Sequence, residues 1–175
     1  SQFLRELIYH VFKNTNDNIG MMFMEESVKR SGLAFMSLEA NKCLHLPEAF
    51  SSVNDEDLKK YFDNTLGTGR LFFYDHFGSN AIDSILNRIR YFAKALNCKY
   101  VVLDHISSAS IGQLSDIVIG LERNGQHEDE TERHTTTVRV IKNRFSGLTG
   151  PACRMYYGRE SGRLTEVHEE FEELE

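Results

Sequence analysis

Residues 100–107 read Tyr-Val-Val-Leu-Asp-His-Ile-Ser, an apolar, β-branched run that stops at an aspartate. Such a run is the mark of a strand buried on both faces, the kind found in parallel sheets. A carboxylate at its C-terminal end, here Asp104, stands where open α/β sheets bind their ligands. One carboxylate in that position is the minimum device for holding Mg²⁺ beside a nucleotide phosphate. The plainer alternative is that Asp104 caps a turn.

The chain has 175 residues, enough for one ordinary domain with a sizeable core. With 41% hydrophobic and 26% charged residues it belongs with globular rather than disordered chains. No apolar stretch approaches the roughly 18 residues needed to span a membrane. The start, Ser1-Gln2-Phe3-Leu4-Arg5-Glu6, has neither the form of a signal peptide nor an initiator Met, so the sequence is expected to begin inside a longer protein. Cys43, Cys98 and Cys153 are isolated, which argues for a reducing compartment and against a disulfide framework or a zinc site. A net charge of −6 disfavours a surface that coats DNA, though a local basic loop can still hold a strand.

Periodicity predicts a helix over 1–13, then a short buried strand over 19–24 that also ends in acid, Glu25-Glu26-Ser27. A helix follows over 28–41, Pro47 breaks the pattern, and Asn54-Asp55-Glu56-Asp57 opens a helix to about residue 64. Leu71-Phe72-Phe73-Tyr74 is a third buried strand, ending at Asp75. Ser79 or Asn80 caps a helix through residue 97, with Ile82, Ile85, Leu86, Ile89, Phe92, Ala93 and Leu96 as its apolar face. Strand–helix–strand alternation means an α/β fold with a largely parallel sheet. Only about a dozen residues separate Asp104 from the next strand-like run, 117–121, too few for a comfortable helical crossover. From Thr135 the pattern turns antiparallel, with strands over 135–141, 153–157 and 163–167, a basic loop Lys142-Asn143-Arg144-Phe145-Ser146-Gly147, and a polar, mobile loop over 125–134. The end, residues 168–175, is acidic with spaced apolar residues.

Taken in order, Met24-Glu25-Glu26-Ser27, Leu103-Asp104-His105-Ile106-Ser107, Gln113-Leu114-Ser115-Asp116, Leu121-Glu122-Arg123-Asn124 and Lys142-Asn143-Arg144-Phe145-Ser146-Gly147 resemble the hexameric replicative DNA helicases of the DnaB class. The resemblance is nearest to the helicase half of phage primase–helicases and their mitochondrial relative Twinkle, and it covers nearly the whole chain. It implies an α/β fold of the RecA-like P-loop NTPase type: a mostly parallel sheet with helices on both faces and a C-terminal antiparallel extension. Residues 1–167 would be the helicase domain, in part, and 168–175 an acidic tail. The family's Gly-x-x-x-x-Gly-Lys-Ser/Thr phosphate loop is absent. Ser1 stands where that loop would end, and an ordinary serine is the alternative. Family members also place roughly 40–70 residues of helix, strand and DNA-contacting loop where Ser107 here abuts Ser108, so an internal segment is expected to be missing at that junction.

By the same resemblance, Asp104 is the Mg²⁺-binding acid, with the Ser1 hydroxyl as a second ligand. Glu25 orients the attacking water, Glu26 being the lesser candidate. Arg144 is the arginine finger that acts on the adjacent subunit's nucleotide, its rigid fork able to bond two phosphate oxygens, and Lys142 reaches the same phosphates. Arg123 and Tyr157 match positions that flank the nucleotide base, against the alternatives of a surface ion-pair partner and an ordinary strand aromatic. Gln113 matches a residue linking the nucleotide site to the DNA loops, or is simply a polar residue on a helix surface. The implied cofactor is Mg²⁺, the substrate ATP or another NTP or dNTP. The implied partners are further copies in a hexamer-like ring, single-stranded DNA, and a replicative DNA polymerase that meets the acidic tail through Phe171; no membrane is involved. The implied location is the cytoplasm of a phage-infected bacterium rather than a mitochondrion. Two rival expectations stay open: a RecA-like ATPase with another task, such as a recombinase or clock-type ATPase, and a non-catalytic interaction fragment if the sequence is complete as it stands.

Overall fold

The computed structural model describes residues 2–75, 82–104 and 115–167. The chain divides into two compact units, Ser1–Ile106 with Glu160–Gly162, and Ser107–Arg159 with Arg163–Glu175.

The first unit holds, in chain order, α1 (Gln2–Asn14), β1 (Asn18–Phe23), α2 (Val28–Ala40), α3 (Pro47–Ser51), α4 (Asp55–Asp63), a 3₁₀ turn (Leu66–Thr68), β2 (Leu71–Phe73), α5 (Ile82–Lys94) and β3 (Cys98–Asp104). Its three strands pair in parallel in the order β2-β1-β3. The apolar run of β1 is the centre, and its period of two sorts side chains to opposite faces. Ile19, Met21 and Phe23 meet Ile8 and Phe12 of α1 and Phe35 of α2. Met22, on the other face, meets Phe92 of α5 and Cys98. Helices therefore cover both faces, as expected from strands that are apolar throughout. Gly20 is the reason α5 can lie so close: a Cβ there would stand 2.7 Å from the Phe92 ring.

The helix ends are set by local chemistry. The Ser27 hydroxyl caps α2 by accepting from the Arg30 N–H at 3.3 Å, and Asn41, in the left-handed region at φ 51°, closes it. The Asn54 side chain caps α4 by accepting from the Asp57 N–H at 2.8 Å. Arg70 closes α1, donating to the carbonyls of Thr15 (2.8 Å) and Phe12 (3.2 Å) while its guanidinium lies over the Phe12 ring. Pro47 differs from expectation. It does not merely interrupt but begins α3, because the first helical position needs no N–H. In α5, which ends at Lys94 rather than residue 97, Phe92 is buried and Ile85 and Ile89 pack beside it, as does Leu96 just beyond the helix, whereas Leu86 and Ala93 of the expected apolar face are exposed. The expected caps at Ser79 and Asn80, and the side chain of Ile82, lie outside the described residues.

At the junction of α1, α2 and α4, Glu39 accepts hydrogen bonds from the Tyr9 hydroxyl, Lys13 Nζ and Asn64 Nδ2. Burial pushes its carboxyl up, but the three donors and the Lys13 charge outweigh burial and hold it below the ordinary value.

The second unit holds β4 (Ile117–Glu122), α6 (Glu130–His134), β5 (Thr135–Asn143), β6 (Gly150–Tyr157) and β7 (Leu164–Val167), the strands antiparallel in sequence order. Among the described residues this is a four-stranded antiparallel sheet, the antiparallel C-terminal part that the sequence pattern predicts. The segment 125–134, expected as a mobile loop, contains α6. Asp129 caps it by accepting from the Glu132 N–H at 2.9 Å, and Glu132 in turn pairs with Arg154 of β6. A helix of five residues is too short to show periodicity, so only the cap betrays it.

Candidate functional site

Parallel strands carry their C-terminal ends to one edge, and that fact assembles the acids. Phe23 of β1 is in register with Asp104 of β3, and the Met24 N–H donates to the Asp104 carbonyl at 2.7 Å. Glu25 follows directly. On the other side of β1 the Tyr74 N–H donates to the Met21 carbonyl at 2.8 Å, and the exposed Asp75 comes next. Glu25, Asp104 and Asp75 thus leave three neighbouring strands, about 4.8 Å apart, at the same edge. This is the edge where open α/β sheets bind ligands.

The two glutamates of the β1–α2 turn have different surroundings. Glu25 is exposed at the edge. Glu26 turns inward, where it pairs with the Arg5 guanidinium of α1 and accepts from the Ser31 hydroxyl of α2 at 3.5 Å. Beside it Phe23, Glu26, Ser31 and Tyr74 line a shallow crevice too small to enclose a ligand. Arg5 was not foreseen as part of this arrangement. Its partner lies 21 residues away on another element, and no local pattern announces such a pair.

The basic loop has its own internal logic. The Asn143 side-chain oxygen accepts from the Phe145 and Ser146 N–H groups at 3.0 and 3.2 Å, and the Gly147 N–H returns to the Asn143 carbonyl at 2.9 Å. Gly147 takes φ +71°, which a side chain would disfavour. Asn, Ser and Gly of the motif therefore shape the loop, and the basic residues ride on it. Lys142 is half-buried opposite Val118. The Arg144 N–H holds the Asp116 carbonyl at 2.9 Å, while its guanidinium, about half exposed, meets the Asp116 carboxylate at 3.5 Å. Exposed pairs of this kind contribute roughly 0–1 kcal/mol, so Asp116 does not lock Arg144 in place. Phe145 and Leu148 project into solvent at 80% and 75% exposure.

Arg123 follows β4 and Tyr157 ends β6. Both strands run opposite to β5, so both residues come to the edge where β5 begins. Lys142 and Arg144 lie at the edge where β5 ends. The nine residues of β5 span roughly 30 Å at 3.3 Å each. The two groups therefore stand at opposite ends of the sheet.

Ser1, Gln113, the Ser107/Ser108 junction and residues 168–175 lie outside the described residues. Among the described residues, no three His, Cys, Asp or Glu side chains cluster as a metal site, and no helix is long and apolar enough to cross a membrane.

No family model matches the chain. It is 25% identical, over 227 residues, to a DNA helicase/primase of Enterobacteria phage T3, a match that takes in 94% of this chain and 40% of the relative. Those 227 aligned positions exceed the chain's 175 residues by 52, so at least that many positions have no residue here. The fold is similar to that of a DnaB-like replicative helicase, solved in a study of its interactions with primase, with TM-score 0.62 at 15% identity over 96% of this chain and 54% of the other. It is equally similar to a KaiC-like protein from the hyperthermophilic archaeon Pyrococcus horikoshii, with TM-score 0.62 at 14% identity over 95% of this chain and 83% of the other. The chain thus spans less than half of its phage relative and about half of the DnaB-like one. It has a RecA-like α/β fold, and the resemblance to DnaB-class replicative helicases that its motifs imply is borne out on the side of the phage primase–helicases.

Proposed function

We propose that the chain is the motor part of an NTP-hydrolysing replicative DNA helicase, acting in a ring of copies that moves along single-stranded DNA and unwinds duplex. The observation that carries this reading is the roughly 30 Å between the two ends of β5. Arg123 and Tyr157 flank the base of one nucleotide, and Lys142 and Arg144 serve the phosphates of another. A complete site then needs two copies side by side, which is what a ring supplies.

In this reading Glu25 orients and polarises the water that attacks the γ-phosphoryl group. Asp104 and the Ser1 hydroxyl hold Mg²⁺; carboxylate and hydroxyl oxygens suit a hard cation that takes its remaining ligands from phosphate and water. Bound Mg²⁺ neutralises charge on the β- and γ-phosphates. Arg144, reaching from the neighbouring copy, bonds the developing charge on the γ-phosphoryl oxygens, and Lys142 assists it. Gln113 links the nucleotide site to the DNA-contacting segment. The 52 or more unmatched positions support the view that residues present in the relative, expected at Ser107/Ser108, are missing from this sequence. Residues 168–175 form an acidic tail that recruits a replicative polymerase, in a host-cell cytoplasm.

Replacing Arg144 tests the reading. In the complete protein, Arg144→Ala should lower DNA-stimulated hydrolysis on the order of 10³-fold while nucleotide binding is largely kept. Unchanged hydrolysis would remove the finger from the mechanism. The equal likeness to the KaiC-like protein favours one rival, a RecA-like ATPase that does not unwind DNA. A forked-duplex unwinding assay separates the two.

A further inference from the structure

We infer that Glu26, clamped by Arg5, is a positioning residue that fixes the aim of Glu25. The inference rests on the proposed role of Glu25 and extends it. Glu25 sits on the short turn between β1 and α2, and a carboxylate on a turn is only as well aimed as the turn's backbone. Met24 is held from one side through its N–H on the Asp104 carbonyl at 2.7 Å. Ser27 is held from the other by its cap on α2. Between them, the side chain of Glu26 anchors the turn to two helices at once: to α1 through the Arg5 guanidinium and to α2 through the Ser31 hydroxyl at 3.5 Å.

The surroundings make this clamp stiff. The Arg5 and Glu26 side chains are only 16% and 14% exposed, so water competes weakly for either. The guanidinium also lies 6.0 Å from the centroid of the Phe23 ring, the last residue of β1. Arg5 Nε is buried without a hydrogen-bond partner. Stability alone would be served as well by an apolar pair of similar volume, which leaves no orphaned donor. The pair is better explained by what it orients. Glu26 therefore does not share the chemistry of its neighbour; it holds the turn from which Glu25 acts.

The test is a double-mutant cycle on Glu26→Gln and Arg5→Gln in the complete protein, read as steady-state NTP hydrolysis on single-stranded DNA and as binding of a non-hydrolysable analogue. Misplacing a reacting group by about 1 Å can cost on the order of 10²-fold, so each single variant should lose about ten- to a hundredfold in kcat with KM and analogue affinity within about twofold. The double variant should be no worse than the worse single one, because both break the same clamp. Unchanged kcat in folded Glu26→Gln, losses that multiply, or a loss confined to KM each overturn the inference. If the glutamine variants do not fold, Glu26→Asp, which keeps the charge but draws it back by one methylene, carries the same outcomes. Glu25→Gln runs alongside. If it keeps full hydrolysis, the proposed site itself is wrong. If it alone abolishes hydrolysis while Glu26→Gln is silent, only the clamp is wrong.

Discussion

The parallel and antiparallel units are built to different densities. In the first, β1 is buried on both sides, and Ile8, Phe12, Phe35 and Phe92 close over it from three helices. In the second, among the described residues, Val138 is the one apolar side chain below a tenth exposure, while Ile117, Ile119, Leu121 and Ile141 stand roughly half exposed on β4 and β5. Glu25 thus leaves the end of a buried strand and Asp104 the end of a half-buried one, whereas the cations ride on a loop of a thinly packed sheet. Groups that hold a metal or orient a water need fixed placement. Under the proposed reading Arg144 acts on the nucleotide of another copy, and its guanidinium is about half exposed.

Truncations of the two cores should break or sharpen that contrast most. Phe35→Ala removes a fully buried ring that meets Phe73 edge-on, and about 3–5 kcal/mol of stability should go with it. Val138→Ala in the antiparallel sheet should cost only about 1.5 kcal/mol, at roughly 0.8 kcal/mol per methylene. Denaturant melts of the two variants give the comparison, and equal losses would mean that the second unit is as tightly packed as the first. A smaller effect is expected in the basic loop. Asn143→Ala deletes the acceptor for the Phe145 and Ser146 N–H groups and should cost about 1 kcal/mol at most, since both are exposed. Hydrolysis should fall more than stability does, because Arg144 loses its mounting; parallel loss of both would make the loop merely structural. The smallest effect concerns acid. The folded-state carboxyl of Glu39 titrates below its unfolded value, so its stabilisation is complete above the ordinary carboxylate range and is lost as pH falls through the folded value. Wild type should thus lose stability below about pH 4.5 slightly faster than Glu39→Gln does, in melts followed across that range. Identical pH profiles would show that the Tyr9–Lys13–Asn64 cluster adds nothing.

Much of the first unit could be read from sequence because its signals are local. A run such as Ile19–Phe23 fixes a buried strand, Asn54 with three acids after it fixes a helix start, and parallel pairing then brings Glu25 and Asp104 together without further information. What escaped depends on partners distant in sequence or on elements too short to have a period. The Arg5–Glu26 pair spans 21 residues, from α1 to the β1–α2 turn, and its members look like ordinary surface charges in the sequence. Pro47 and Asp129 each start a five-residue helix too short to show a period, where one residue carries the whole signal. Gly20 carries no distinct signal in the sequence, yet it is the seat of the Phe92 ring. That β5 holds Arg123 and Tyr157 at one end and Lys142 and Arg144 at the other emerges only from its register with β4 and β6.

That separation has a consequence for mixtures. Under the proposed reading, a copy lacking Arg144 keeps its own base-flanking pair and its own carboxylates, and the damage falls on the neighbour whose nucleotide it should have completed. The injury is exported, not suffered. One altered copy per ring would therefore silence a site built mostly from intact protein, and blending altered with unaltered copies would separate a motor that tolerates one dead interface from one that needs every interface in turn.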